Sequence, residues 1–81
     1  MNIYRHTFAI QCPANDEQII YQIEIQSAKM IYAEHIVSET RTYESQYHEA
    51  LADRLFALFG EKQIITATHH GVHIETRRGF P

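Results

Sequence analysis

Two adjacent residues, His48 and Glu49, give this sequence its clearest opportunity for chemistry. They lie near the start of YESQYHEALADRLFALFG (residues 43–60), whose apolar residues recur at the spacings of an amphipathic helix. An ionised carboxylate accepts two parallel hydrogen bonds, and guanine-like or pterin-like rings offer paired N–H donors. Glu49 could therefore anchor a planar heterocycle. The alternative is a solvated first helical turn, whose acidic residue interacts favourably with the helix dipole.

Three of the six histidines, His69, His70 and His73, lie close together in the sequence. A histidine can act as a general acid or base because imidazole titrates near about pH 6.5. If the protein is an enzyme, His69 is the predicted general acid–base, and we expect His48 and His70 to contact the substrate. Catalytic zinc needs three protein ligands at about 2.0–2.3 Å. Neighbouring residues of a strand point to opposite faces, so these three histidines cannot easily converge on one ion. We therefore predict no metal site.

Composition restricts the classes of function. We predict one soluble, cytoplasmic domain over residues 1–81, because 44 % of the residues are hydrophobic and the first residues do not resemble a secretory signal. No run reaches the ~18 apolar residues of a membrane span. The net charge of −3 argues against nucleic-acid binding. Cys12 is the single cysteine, which excludes an internal disulfide. The sequence contains no phosphate-binding glycine loop, so we predict no cofactor.

Apolar and polar residues alternate with a period of two in four segments, which indicates four strands. In the first strand, Cys12 is in phase with Phe8 and Ile10, as expected of a small buried apolar residue. A two-residue turn at His70-Gly71 should join the last two strands, because glycine tolerates positive φ. The strands are predicted over residues 3–12, 18–26, 63–69 and 72–77, with the hairpin pairs His69–Val72, Ala67–Ile74 and Ile65–Thr76.

The helix over residues 43–60 is the strongest single signal. Thr42 or Ser45 is the predicted N-cap, and Gly60 stands where a left-handed C-cap belongs. Its predicted buried stripe consists of Tyr43, Tyr47, Leu51, Leu55 and Leu58.

Residues 27–40 favour a second, shorter helix capped by Ser27, although residues 30–32 would also suit a strand. The resulting element order is β-β-α-α-β-β. An α+β fold, with a four-stranded antiparallel sheet and both helices on one face, accounts for every apolar stripe. The open sheet edges predict that subunits join into a homo-oligomer.

This element order resembles the tunnelling-fold (T-fold) superfamily, whose members bind purines and pterins between subunits. Residues 47–51 are similar to the phenylalanine–histidine–glutamate segment of the queuosine-pathway nitrile reductases and to the glutamine–glutamate–arginine–leucine segment of GTP cyclohydrolase I. In both families that glutamate anchors the ring, which implies the same role for Glu49. Residues 33–37 resemble the first-helix segment of the cyclohydrolases, and residues 67–72 resemble the start of their last hairpin.

Cys12-Pro13 is similar to the cysteine–proline pair of the nitrile reductases, whose thiolate attacks the nitrile. The resemblance implies that Cys12 is a nucleophile. GTP cyclohydrolase I holds a zinc ion with two cysteines and a histidine. In this chain Gly71 stands where the second of those cysteines would fall, which again predicts that no metal is bound.

These observations predict a small T-fold-like protein that binds a purine-like or pterin-like heterocycle at a subunit interface. If it is an enzyme, it belongs to pterin or deazapurine metabolism, with Cys12 and His69 as catalytic residues. The alternative from another class is a non-catalytic, oligomeric protein-interaction module.

Overall fold

The computed structural model describes all residues from 1 to 81 and contains four strands and two helices. In chain order these are β1 (Asn2–Gln11), β2 (Gln18–Ser27), α1 (Ala33–Arg41), α2 (His48–Phe59), β3 (Lys62–His69) and β4 (Val72–Arg78). The strands form a single antiparallel sheet in the order β1-β2-β3-β4, so β1 and β4 are its edges. Neither helix has the length and hydrophobicity that crossing a lipid bilayer requires.

A tight turn joins β3 to β4. His70 has φ 51° and Gly71 has φ 81°, and positive φ at both central residues is what a type I′ hairpin turn requires. The register that follows confirms the predicted hairpin, with the pairs His69–Val72, Ala67–Ile74 and Ile65–Thr76.

Both helices cover the same face of the sheet. Along β2, the residues that point towards the helices are buried and those between them are exposed or half-buried, because side chains alternate between the two faces of a strand. The predicted α+β arrangement, a four-stranded antiparallel sheet with both helices on one face, is therefore confirmed. The core under the helices consists of Ile10, Ile19, Tyr21, Ile23, Ile25, Ile36, Tyr43, Leu51, Ala52, Leu55, Ile65 and Ala67.

The start of the long helix was predicted wrongly. α2 begins at His48, not at Tyr43, and its N-cap residue Tyr47 makes no side-chain capping bond, so neither Thr42 nor Ser45 caps it. The preceding residues run beside the end of β1, where the Gln11 backbone N–H donates to the carbonyl of Glu44 at 3.1 Å. Backbone groups engaged with β1 in this way cannot belong to a helical turn.

The buried stripe of α2 is consequently different from the predicted one. His48, Leu51, Ala52 and Leu55 are the buried residues of the helix, whereas Tyr47 and Leu58 are exposed. The helix ends at Gly60 as predicted, with φ 60° and with the Gly60 N–H donating to the carbonyl of Phe56, but ψ is −145°, so the cap is not the left-handed one that was predicted.

The shorter helix also begins later than predicted. α1 starts at Ala33, and Ser27 is the buried last residue of β2 instead of a helix cap. The Ser27 hydroxyl lies 2.8 Å from the Glu61 carboxylate and 2.8 Å from the carbonyl oxygen of Lys29. These contacts fix the loop that leaves β2, so the helix can form only after the loop has ended.

Gly79 follows β4, and it is the glycine whose replacement by another residue the fold tolerates least well. Its φ is +82°, and an added Cβ would collide with the carbonyl oxygen of Glu61 and approach Cε1 of Phe56 to 3.0 Å. We expect Gly79→Ala to lower the free energy of unfolding by about 1–2 kcal/mol for the left-handed backbone and by ~1–3 kcal/mol more for the collision.

Gly71→Ala is the matched control for this prediction. Gly71 has nearly the same φ, +81°, but an added Cβ there meets no atom within 4 Å. Urea unfolding of both variants should therefore show the larger loss for Gly79→Ala. Equal losses would mean that the contact with Glu61 does not constrain the chain.

Candidate functional site

A cavity of about 260 Å³ opens where the end of β1, the start of α2 and the β3–β4 hairpin meet. Four of the five predicted site residues lie on its walls: Cys12, His48, Glu49 and His69. The remaining lining residues are Pro13, Gln46, Tyr47 and Ile74.

Each of the four residues reaches the cavity from the end of an element. Cys12 directly follows β1, and its backbone N–H donates to the carbonyl of Glu17 at 2.7 Å, which fixes the turn after the strand. His48 and Glu49 form the first turn of α2, and His69 is the last residue of β3. Ends of elements are where backbone geometry can bring residues that are distant in the sequence to one place.

His48 is the buried member of the site and is fixed by two hydrogen-bonded contacts. Its Nε2 lies 2.9 Å from Oγ1 of Thr76, and its Nδ1 lies 3.2 Å from Nε2 of His69. The hydroxyl of Tyr21 lies 3.3 Å from the same Nε2 of His69. Two histidines and two hydroxyl groups therefore form a connected polar network at the edge of the apolar core.

Burial keeps two members of this network, His48 and Tyr21, in their neutral forms near neutral pH. Burial, followed by the positive charge that His69 would carry, lowers the pKa of His48 below its usual value of 6.5. Burial, with a smaller effect from a charge on Cys12, raises the pKa of Tyr21 to about 12. Tyr21 therefore keeps its hydroxyl proton and His48 remains an uncharged imidazole.

Glu49 points the other way, towards solvent, and its side chain is 74 % exposed. One carboxylate oxygen, Oε2, accepts a hydrogen bond from Nη2 of Arg78 at 2.7 Å. Arg78 also pairs with Asp53, through Nε at 3.1 Å. Oε1 of Glu49 has no partner in the chain, so the carboxylate is held on one side and free to accept hydrogen bonds on the other.

The remaining predicted residue, His70, is not part of the cavity wall. It lies in the exposed turn of the β3–β4 hairpin. His73 pairs with Thr68 across the hairpin and lies on the opposite sheet face from His69, and its Nδ1 is 3.3 Å from the hydroxyl of Thr68. No group of three or more histidine, cysteine, aspartate or glutamate side chains converges as metal ligands would.

Three residues of the site were not predicted as functional: Tyr21, Thr76 and Arg78. The hairpin register pairs Thr76 with Ile65 on one sheet face, and alternation along β2 places Tyr21 on the apolar face of that strand. Neither pattern indicates that these hydroxyl groups contact a histidine. Arg78 lies just beyond the last predicted strand, which ends at residue 77, whereas it is the last residue of β4 and pairs with Gln63. Its ion pairs join residues 25 and 29 positions apart, which no local pattern reveals.

A second, larger depression of about 400 Å³ lies on the sheet face that the helices do not cover. Thr7, Gln22 and Thr66 contribute to it, together with His73. It contains none of the predicted site residues. The smaller cavity is therefore the candidate site.

A search of protein-family models and of curated protein sequences finds no match. Among solved structures, the chain is similar to the archaeosine synthase QueF-Like in its apo form. The TM-score is 0.66 at 15 % sequence identity, and the match covers 99 % of this chain and 94 % of that one. A likeness at this identity shows the fold. The fold therefore agrees with the predicted resemblance on the QueF-like side, while the resemblance to GTP cyclohydrolase I stays a prediction.

The lowered pKa of His48 predicts a loss of stability in acid. The unfolded chain takes up a proton on this residue near pH 6.5, and the folded chain does so only at lower pH. The contribution of His48 to stability is therefore fully present above about 6.5 and is lost as the pH falls towards its lowered pKa. We expect the free energy of unfolding, measured in urea from neutral to mildly acidic pH, to decrease more steeply in the wild type than in His48→Gln.

His73→Gln is the control, because His73 is an exposed histidine on the uncovered sheet face. It should retain the wild-type dependence of stability on pH. A dependence that His48→Gln leaves unchanged would contradict the placement of His48.

Proposed function

We propose that the cavity binds a guanine-like or pterin-like heterocycle, with Glu49 as the anchor of its N–H groups. The observation that supports this most directly is the half-satisfied Glu49 carboxylate, which lies on the wall of a cavity together with Cys12, His48 and His69. Charge-assisted hydrogen bonds to a carboxylate are about twice as strong as neutral ones. A ring with two adjacent N–H donors suits such an acceptor.

The dimensions and the electrostatics of the cavity agree with this ligand class. At about 260 Å³, the cavity lies near the lower end of small-molecule pockets, which begin at about 300 Å³, so it suits a single bicyclic ring. Arg78 holds Oε2 of Glu49 at 2.7 Å and so orients the carboxylate. Tyr47 lies at the rim and is 63 % exposed, which leaves its ring available for a planar ligand.

We further propose that the ligand belongs to pterin or deazapurine metabolism. The solved structure to which the chain is similar is named as a synthase of archaeosine, which is compatible with deazapurine chemistry. Cys12 and His69 would be the reactive groups towards a bound ring, because a cysteine thiolate is a strong nucleophile and imidazole transfers protons near neutral pH.

The proposed site lies at a subunit interface of a homo-oligomer. Both edge strands, β1 and β4, have one unpaired side, and exposed edges are usually covered by further pairing. Tyr47 and Glu49 are exposed at the cavity, which supports closure of this side by a second subunit.

A second candidate function is a protein-interaction module without a small-molecule ligand. A different surface favours it, where Met30, Tyr32 and Leu58 are exposed around another depression between α1 and the end of α2. Groups of exposed apolar side chains are typical of interaction surfaces.

The two candidates differ in their response to Glu49→Gln. The substitution removes the negative charge but keeps the size of the side chain, so we expect the affinity for guanine and pterin compounds to fall at least ~10-fold, as for the loss of a charged hydrogen bond. Isothermal titration calorimetry measures the affinity, and native mass spectrometry should show the same assembly as for the wild type.

Asp53→Asn is the matched control, because Asp53 is the other acidic partner of Arg78 but does not line the cavity. It should bind the same compounds with the affinity of the wild type. Equal effects of the two substitutions would assign the loss to Arg78 and not to an anchor at Glu49. Absence of binding to the wild type would favour the interaction module.

The half-buried thiol of Cys12 gives an independent prediction. A cysteine in a cavity reacts with iodoacetamide only where solvent reaches it, so a bound heterocycle should slow its alkylation. Mass spectrometry of the modified protein measures the rate with and without guanine. In Glu49→Gln the same guanine concentration should give no protection. An inert Cys12 in the ligand-free protein would exclude it as a nucleophile.

A further inference from the structure

Thr76 has a buried hydroxyl group with one side-chain partner, Nε2 of His48 at 2.9 Å. A buried hydroxyl hydrogen without an acceptor costs free energy, so native structures rarely contain one. Nε2 of His48 is the acceptor within reach. The Thr76 hydroxyl therefore donates to it.

This bond decides where the proton of His48 resides. A neutral imidazole carries one N–H, and a nitrogen that accepts a hydrogen bond is the unprotonated one. With Nε2 accepting from Thr76, the proton of His48 is on Nδ1, which lies 3.2 Å from Nε2 of His69. His48 Nδ1–H therefore donates to that nitrogen of His69.

The hydroxyl of Tyr21 also indicates that Nε2 of His69 is the unprotonated, accepting nitrogen. This hydroxyl is buried and lies 3.3 Å from Nε2 of His69. Both contacts to this nitrogen are longer than the usual ~2.9–3.0 Å, as expected of one acceptor that two donors share. In the opposite arrangement, with a proton on Nε2 of His69, the hydroxyl hydrogens of Tyr21 and Thr76 would both lack an acceptor.

The proton of neutral His69 is consequently on Nδ1. This nitrogen has no hydrogen-bond partner in the chain, and it is not among the buried polar atoms that lack a partner. It is therefore accessible, and His69 lies on the cavity wall.

We propose that Thr76 is a positioning residue: through His48 it holds His69 in the Nδ1–H tautomer, so that the cavity presents a hydrogen-bond donor to an oxo group of its ligand. The part about the ligand rests on the proposed function. Glu49 then accepts from the ring N–H groups, and His69 donates to a ring carbonyl. This combination selects 6-oxopurines and 4-oxopterins over rings with an amino group at that position.

The tautomers can be measured without any ligand. Long-range ¹H–¹⁵N spectra of the protein with ring-labelled histidine distinguish protonated from unprotonated ring nitrogens. Loss of signals in His69→Gln assigns that ring. At a pH where the rings are neutral, we expect both His48 and His69 to carry the proton on Nδ1. A proton on Nε2 of His69 in the wild type would overturn the proposal, whatever the variants do.

Two substitutions at Thr76 test its positioning role. Thr76→Val keeps the shape but removes the hydroxyl, and it should reduce the Nδ1–H population of His69; Thr76→Ser should restore it. Thr68→Val is the control, because the Thr68 hydroxyl is hydrogen-bonded to the exposed His73 and not to the network of His48 and His69, and it should leave the His69 spectrum unchanged. A His69 spectrum that does not differ between wild type and Thr76→Val would remove Thr76 from the proposal.

Guanine and 6-thioguanine test the ligand part. Both offer the same N–H donors to Glu49, but sulfur is a weak acceptor, so calorimetry should show about 10-fold weaker binding of 6-thioguanine. Equal affinities, with the tautomers as proposed, would refute the oxo contact alone. No binding of either compound would refute the proposed function and the oxo contact with it, while the tautomer result would stand by itself.

Discussion

The contact of His48 with Thr76 and His69 determines how the site is assembled. It connects the first residue of α2 to both strands of the β3–β4 hairpin, and it lies at the edge of the apolar core beside Tyr21. Successive helix residues are rotated by about 100°. Because His48 is turned into the protein, Glu49 is turned out of it, towards solvent and Arg78.

The same contact explains why a buried histidine is tolerated here. A buried polar side chain costs free energy unless it is hydrogen-bonded, and both ring nitrogens of His48 have a partner. Burial also keeps the ring uncharged, since it lowers the pKa of His48. The network thus couples the protonation of His48 to the stability of the fold and to the state of His69.

Much of the fold could be predicted from the sequence because its strands are strongly periodic. Alternation of apolar and polar residues identified the four strands, and the turn residues His70-Gly71 fixed the register of the last hairpin. The start of α2 could not be predicted in this way. Tyr43 and Tyr47 fit the helical spacing, but a backbone bond between Gln11 and Glu44 removes this segment from the helix, and that bond joins residues far apart in the sequence.

The residues that line the candidate site could be predicted, but their hydrogen-bond partners could not. Residue chemistry and the family resemblance indicated Cys12, His48, Glu49 and His69, and the structure brings these four side chains to one cavity. The partners that orient them were not predictable. Thr76 contacts a histidine 28 positions earlier, and Tyr21 contacts one 48 positions later, so these contacts become visible only when register and helix placement are both known.

Binding of a heterocycle in the cavity is tested most directly by a titration of the ¹⁵N-labelled protein with guanine, followed by ¹H–¹⁵N correlation spectra. Ring binding in the cavity predicts that the largest shift changes occur at the backbone amides of Cys12, Glu49 and His69. Amides around the depression on the uncovered sheet face, such as those of Gln22 and Thr66, should not move. Changes centred on Gln22 and Thr66, or no changes at all, would mean that guanine does not bind in this cavity.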